Sequence, residues 1–417
     1  MTRFHEIVAG AARRGVLLLL ALAPTVCTAD SALDLRTALR LARDAELQSA
    51  LDAASLAAVE ADRRSASAHP NPVISYGRLR PGRASTMFDG SRQQDVAIEQ
   101  PLLLGGQRRA RMEAAERAVD AARARVAVSR MTRAADAALA FVSLQAAQSR
   151  QAAATVGLNR LEDIVASASM NPAAHPYAEQ RLAFERADWR AALSAADAEL
   201  AAARQRLADM LDITDWRTLV VVPLNPLDLV AANGERSGER SDHLALHAAR
   251  LEETAAEAAG RAARAERFPQ VSLGLIRSWT SEPYGIADGV SVSVELPLFD
   301  RRDGAVDRAD ALAAGARLQR QLLEAEIDLD ARRNQIEVAM RSDALAAFDA
   351  EVGPRLQALL RLAGDAYRND SAGPADLIDA LRAQQRATLR RIELEEGLLR
   401  AQIRLLLARS ELPSLLD

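Results

Sequence analysis

The sequence predicts a mostly α-helical protein with a small β part, made twice over from one unit of helix, strand, strand, helix, turn and helix. Three observations carry that expectation. Only 3% of the 417 residues are aromatic, while Ala and Arg dominate; long helices laid side by side through small side chains need few aromatics, whereas a compact core of this length is normally built on them. Val290 to Gly304, VSVSVELPLFDRRDG, joins a period-two stretch to a proline stop and a helix start,. Val96 to Gly106, VAIEQPLLLGG, nearly repeats it.

The repetition extends along the chain. Pro72 with Pro269 and Gly77 with Gly274 stand 197 residues apart, Pro101 with Pro297 and Val156-Gly157 with Val352-Gly353 stand 196 apart, and Pro176 with Pro374 stand 198 apart. Landmarks held in one register mark a tandem duplication. The expected layout is residues 1–29 outside the fold, a first repeat over 30–222, a polar linker over 223–241 and a second repeat over 242–417.

Residues 1–29 read as a secretory signal peptide. Arg3, Arg13 and Arg14 precede the apolar run Val16 to Ala23, and Cys27-Thr28-Ala29 offers small residues at a cleavage site,. Acylation of Cys27 is the alternative, but Pro24-Thr25-Val26 makes a poor lipobox. The mature chain then holds no cysteine, which excludes disulfides and thiolate chemistry. All 53 basic residues are Arg, which fits a base-composition bias and is given no function. A net charge of −4 argues against a nucleic-acid partner, which would require a basic face,.

In order, Ser31 to Ala68 is expected to be one helix with Leu35, Leu39, Leu47, Leu51 and Val59 on its apolar face. His69-Pro70-Asn71-Pro72 stops it. Strands follow at Val73 to Leu79 and Asp95 to Gln100, around a polar loop, and Pro101 with Gly105-Gly106 forms a strand-to-helix junction. A long helix starts at Gln107, weakens at Val156-Gly157, turns near Pro172 to Pro176 and returns over Tyr177 to Leu211. The second repeat gives a helix over Asp242 to Arg267, strands over Val271 to Trp279 and Val290 to Leu296 around a loop at Thr280 to Gly289, and a junction at Pro297 and Gly304. A helix from Asp303 is expected to break at Gly353-Pro354, continue to Asn369, turn at Ser371 to Pro374 and return to Arg409.

The strands are apolar on one face (Val96, Ile98, Val290, Val292, Val294) and small, polar or acidic on the other (Ala97, Glu99, Ser291, Ser293, Glu295). That pattern suits lipid on one side and water on the other, making Glu99 and Glu295 candidates for a barrel lumen. Four strands cannot close a barrel, and an open edge cannot lie in lipid, so several chains must share one. A soluble hairpin pair packed on its own helices is the competing reading. Two seams on the last helix, Ile392, Leu399 and Leu406 opposite Leu394, Leu398, Ala401 and Leu405, call for a neighbour on each flank, as in a curved wall of helices.

These residues resemble the TolC-like outer-membrane efflux proteins over essentially the whole mature chain. The likeness rests on the duplicated plan, the strand starts at Pro72 and Pro269, Gln100-Pro101-Leu102 followed by Gly105-Gly106, and Ala366-Tyr367-Arg368. Leu296-Pro297-Leu298-Phe299-Asp300-Arg301 with Gly304, and Leu104 to Arg109, look most like the CzcC branch, linked to cobalt, zinc and cadmium efflux. The resemblance implies a homotrimer with a twelve-stranded outer-membrane barrel, four strands per chain, continued by a periplasmic α-helical tunnel. It implies a passive exit duct that works with a periplasmic adaptor and an inner-membrane RND-type pump, is embedded in outer-membrane lipid, and needs no cofactor. It also implies an acidic entrance constriction at Asp376 and Asp379, in the pattern Asp376-Leu377-Ile378-Asp379-Ala380; helix capping by Asp376 is compatible with that role. Export of drugs or proteins by the same fold, and a periplasmic coiled-coil scaffold without a barrel, are the alternatives.

Other chemistry is sparse. His243 and His247, four apart on an expected helix, could in principle share a metal but read better as surface histidines. His175, at the first tip, is a candidate partner contact. Gly105-Gly106 lacks phosphate-loop spacing, and no Ser-His-Asp or HExxH motif is present, so no enzyme is expected.

Overall fold

The computed structural model describes residues 32–80, 92–169, 176–226, 243–369, 371 and 373–411. The expected signal peptide, His175 and most of the expected linker lie outside the described residues. The elements are α1 (Leu35–Asp44), α2 (Glu46–Ser67), β1 (Val73–Leu79), β2 (Gln93–Leu102), α3 (Gln107–Ser169), α4 (Pro176–Leu211), α5 (Leu244–Ala265), β3 (Gln270–Thr280), β4 (Gly285–Glu295), α6 (Asp303–Arg368) and α7 (Pro374–Ala408).

The single helix expected over Ser31 to Ala68 is two. Ala45, with ψ 126°, leaves the helical region between α1 and α2. Asp34 caps α1 by accepting the Thr37 N–H at 3.2 Å,, and α1 buries Leu35, Ala38, Leu39 and Ala42. The turn at Ala45 re-aims the chain, so α2 buries nothing, and Leu47 and Leu51, expected on one apolar face with Leu35, are exposed.

The four strands form one antiparallel sheet in the order β1-β2-β3-β4. β2 runs two residues beyond its expected end and takes in Pro101, opposite Ser272. The β1 ladder has already ended at Val73 opposite Glu99, so the strand has a single neighbour there and the missing N–H is tolerated. The loop expected over Thr280 to Gly289 shrinks to residues 281–284. Gly285 to Gly289 joins the ladder instead, and Arg277 clasps Asp288 across it at 2.6 and 2.9 Å.

Both long helices run unbroken, over 63 and 66 residues, roughly 95–100 Å each at 1.5 Å per residue. The helix passes through the weak step expected at Val156-Gly157, and the break expected at Gly353-Pro354 does not occur. Gly157 is instead a place of close approach, where a Cβ would collide with Trp189 of α4 and crowd Gln385 of α7. Pro354 stays inside α6, since one lost hydrogen bond is small against a helix of this length.

The main core gathers around the middle of α3, where Phe141, Leu144 and neighbouring alanines meet α1, the end of α4 and Leu399, Ile403 and Leu406 of α7. A second core lies near the tip, joining Leu158 and Leu161 of α3, Leu182 and Trp189 of α4, and Ile378 and Leu381 of α7. Both seams expected on α7 are used, for α7 packs against α3 and against α6, and Leu398, Leu399, Ala401, Leu405 and Leu406 are buried.

Candidate functional site

The register sorts the sheet into two faces. Ile74, Tyr76, Val96, Ile98, Leu273, Leu275, Val290, Val292 and Val294 fall on one, and they are exposed or half-exposed. Its charged members, Arg78, Arg277 and Asp288, stand toward the hairpin turns. The other face holds Ser75, Gly77, Asp95, Ala97, Glu99, Ser272, Gly274, Ser278, Ser291, Ser293 and Glu295, with the apolar Val73, Leu79 and Ile276 among them and no basic side chain in its ladder.

Glu99 and Glu295 thus share the polar face, two strands apart. Glu99 accepts a hydrogen bond from the Ser293 hydroxyl at 2.6 Å, reaching over β3 at Gly274. A Cβ added at 274 would meet Ser291 Oγ at 2.3 Å, so a larger residue there would require that hydroxyl to turn away. Asp95, which sequence reading passed over, lies on the same face and accepts from Gln93 Nε2 at 2.7 Å. Its signal was available: in the copied hairpin it aligns with Ser291, on the polar face.

At the opposite end of the long helices, Asp376 sits in the first turn of α7. Its Oδ2 accepts the Gly373 N–H at 3.1 Å, and its own N–H donates to the Gly373 carbonyl at 3.2 Å. Glycine has no side chain, so this is a carboxylate cap closed by a backbone bond. Asp379, one turn on, is exposed and paired with Arg181 of α4 at 3.4 Å. Ile378 and Ala380 alternate with these carboxylates and are buried; the tip core therefore turns Asp376 and Asp379 outward. Next to them, Arg382 pairs with Glu185 of α4 at 2.6 Å, with the Glu185 side chain only 3% exposed. Sequence reading missed this pair, which couples helices nearly 200 residues apart.

A 30% identity over 300 residues relates the chain to the nickel-cobalt-cadmium resistance protein NccC of Alcaligenes xylosoxydans xylosoxydans, covering 70% of this chain and 67% of the relative. It belongs to the TolC-like outer-membrane efflux channel family. The nickel and cobalt resistance protein CnrC of Cupriavidus metallidurans is also 30% identical, over 295 residues and 69% of each chain. The fold of this outer-membrane channel is similar to that of the outer membrane channel CmeC of Campylobacter jejuni, with a TM-score of 0.73 and 12% identity over 90% of this chain and 85% of that one. No family model matches the sequence. The family is one of passive channels rather than enzymes.

At its junctions the channel uses Gly105 and Gly106 as a matched pair. Phe268 occupies the space a Gly105 side chain would need, and Gly106 takes the left-handed region at φ 77°,. In the second junction the left-handed residue is Arg302, at φ 58°, 196 positions on. Gly304 lies within the first turn of α6, and Pro297 follows the end of β4. Arg302 is held by its N–H to Asp300 Oδ1 at 2.8 Å and by an ion pair with Glu266 at 2.9 Å.

His243 and His247 do not share a helical face. His243 precedes α5, half-buried, while His247 lies within it and is exposed. Among the described residues no group of three His, Cys, Asp or Glu gathers as a metal site. His243 instead lines a cavity of about 490 Å³ with Asp330, Glu337 and Arg404. Burial lowers its pKa, against an opposing hydrogen bond to the Ala408 backbone,.

Proposed function

We propose that three copies of this chain form an outer-membrane exit duct for heavy-metal cations, fed through a periplasmic adaptor by an inner-membrane RND-type pump. The observation that carries the duct is the open, two-faced sheet. Its order leaves β1 and β4 as edges with unpaired backbone groups, which lipid does not tolerate. Three sheets closed edge to edge make twelve strands, with the apolar face toward lipid and Asp95, Glu99 and Glu295 toward water.

The cargo reading draws on NccC and CnrC, whose names give nickel, cobalt and, for NccC, cadmium. Nickel thereby joins the cobalt, zinc and cadmium suggested by the CzcC-like wording. A water-facing wall with carboxylates and no basic ladder residue is compatible with cations, because it concentrates them and repels anions. At the far end, Asp376 and Asp379 of three chains would form the acidic entrance. Arg181 would hold Asp379 in the resting state.

Deleting the gene and growing cells on nickel, cobalt, cadmium, zinc, antibiotics and bile salts tests the reading. Sensitivity to the metals alone, restored by the intact gene, is the expected result. Sensitivity confined to antibiotics or bile salts would overturn the metal cargo while leaving the duct in place.

A further inference from the structure

We propose that the hairpin end of the sheet's apolar face binds a phosphate-bearing lipid of the outer leaflet. Arg78 and Arg277 hold the phosphate, and the acyl chains lie along the apolar rows nearer the helices. This rests on the duct reading above, which turns that face to lipid, and goes beyond it by naming a ligand and the residues that hold it.

The register stacks that face in rows across the sheet. Ile74, Ile98, Leu275 and Val290 stand abreast, and the rows toward the helices continue with Leu273 and Val292, then Leu102, Val271 and Val294. Gln100, the polar member of that stretch, turns its amide to the carbonyls of Pro70 and Pro101 at 2.8 and 3.1 Å. Toward the turns the character changes within one step. The next row is Tyr76, Val96, Arg277 and Asp288, and the last is Arg78, Gln94, Trp279 and Ile286. Every charge and both aromatic rings among the ladder residues of this face therefore lie in two adjacent rows at one end.

The depth of those rows follows from the strand. Every second residue from Leu298 back to Val290 is apolar, and the next is Asp288. That run covers at most about 33 Å of chain, or about 25 Å of height at a tilt of about 40°, which matches the apolar band of an outer-membrane barrel. Arg277, opposite Asp288, thus stands at the edge of the band, with Arg78 one row beyond it. The helices are periplasmic, so this edge borders the outer leaflet. Aromatic rings gather at such an edge, and Tyr76 and Trp279 are 63% and 39% exposed there,. An arginine is costly at mid-membrane and nearly free at this depth.

The donors at this edge are open and close together. The Arg78 guanidinium has no hydrogen-bond or ion-pair partner among the described residues. Arg277 gives Nε and Nη2 to Asp288, which fixes its plane, leaves its Nη1 donors free and occupies the one carboxylate of the two rows. Gln94 stands between them, opposite Arg78 on one side and Trp279 on the other. Its Oε1 meets the Tyr76 hydroxyl at 3.5 Å, so its amide N–H groups are left for an acceptor. Two strand spacings and one row set Arg78 and Arg277 about 10 Å apart across the sheet and about 7 Å along it. Two such long side chains reach one phosphate over that gap, and the fork of a guanidinium fits phosphate oxygens.

Native mass spectrometry of the full-length protein in detergent, with defined lipids added, tests the site. The protein is expected to retain diphosphorylated lipid A several-fold better than the same lipid stripped of its phosphates, and better than phosphatidylethanolamine. Arg78→Gln should weaken that retention about tenfold, since a guanidinium on phosphate is a charge-assisted pair. Arg277→Gln alone would leave Asp288 unpaired on the lipid side, so it is combined with Asp288→Asn, and this neutral pair should show a similar loss. Arg206→Gln, at an exposed position of α4, should change nothing. Inorganic phosphate at millimolar concentration should not displace the lipid; displacement would mean an anion site in place of a lipid site. Equal retention of the two forms of lipid A, or equal retention by the Arg78→Gln variant and the unaltered protein, would overturn the site and leave the duct standing. Recovery of the protein in the soluble fraction without detergent would overturn the duct reading with it.

Discussion

Gly157 of α3 and Gly353 of α6 occupy matching places on the two long helices, yet their surroundings differ. The first is filled by Trp189 and Gln385, whereas nothing lies within 4 Å of a Cβ added at the second. The same contrast recurs at the junctions, where Gly106 and Arg302 share a left-handed backbone but only the glycine adopts it without a steric cost. Duplication copied the backbone plan; side chains then diverged according to what each copy has beside it. Within the chain α3 is covered by helices of both repeats, whereas the matching positions Leu318, Ile336 and Met340 of α6 are exposed.

The largest test of this contrast is at the tip, where the first repeat is tied to the second. Arg382→Ala strands the buried Glu185 carboxylate, and because Arg382 is itself 36% exposed the expected loss is about 2–3 kcal/mol, below the range for a fully buried pair. Denaturant unfolding in detergent reads it, and adding Glu185→Gln should recover much of the loss. If Arg382→Ala has no effect, the tip is not held by this pair.

The glycine pair comes next. Gly157→Ala should cost about 1–3 kcal/mol through overpacking against Trp189, whereas Gly353→Ala should stabilise by up to about 1 kcal/mol through helix propensity. Opposite shifts in the thermal midpoint would sharpen the comparison. Equal losses would mean that a neighbouring chain fills the second site.

Smaller effects are expected at the junctions. Gly106→Ala should cost about 1–2 kcal/mol for placing a Cβ at positive φ. Arg302→Gly should change stability by less than about 1 kcal/mol, because relief of the same strain is offset by loss of the exposed pair with Glu266. Thermal unfolding of the two variants side by side separates them.

The smallest concerns His243. Its pKa is lowered from 6.5 by burial, so the unfolded chain takes up the proton first as pH falls. Its contribution is therefore fully present above about pH 6.5 and declines below that. His243→Gln should flatten the stability profile between pH 7.5 and 5.5, and an unchanged profile would remove His243 as the cause.

Much of this was legible in the sequence. Offsets of 196 and 197 located both hairpins and both long helices, and strict alternation assigned Glu99 and Glu295 to the polar face, because a strand has a period of two. Local signals misled where tertiary packing outweighed them. Val156-Gly157 looked like a weak step and Gly353-Pro354 like a break, but both helices run on through them, since a long cooperative helix tolerates one weak step. Ala45 carried no breaking signal, and the chain nonetheless turns there to seat α1 in the core. Gly304 looked like the partner of Gly106, whereas the backbone places that role on Arg302. The Glu185–Arg382 pair has no local signature, since its members meet only when two hairpins dock.

By itself the sequence determined the duplicated plan, the two-faced strands and the family, because these depend on periodicity and on landmarks repeated along the chain. Only the tertiary structure decided which copy of each repeated position is covered, that β2 and β3 join the repeats, and that Asp376 caps a helix while Asp379 pairs with Arg181. Those are matters of which surfaces meet, and equivalent residues in a duplicated sequence carry the same local pattern whether a neighbour lies beside them or not.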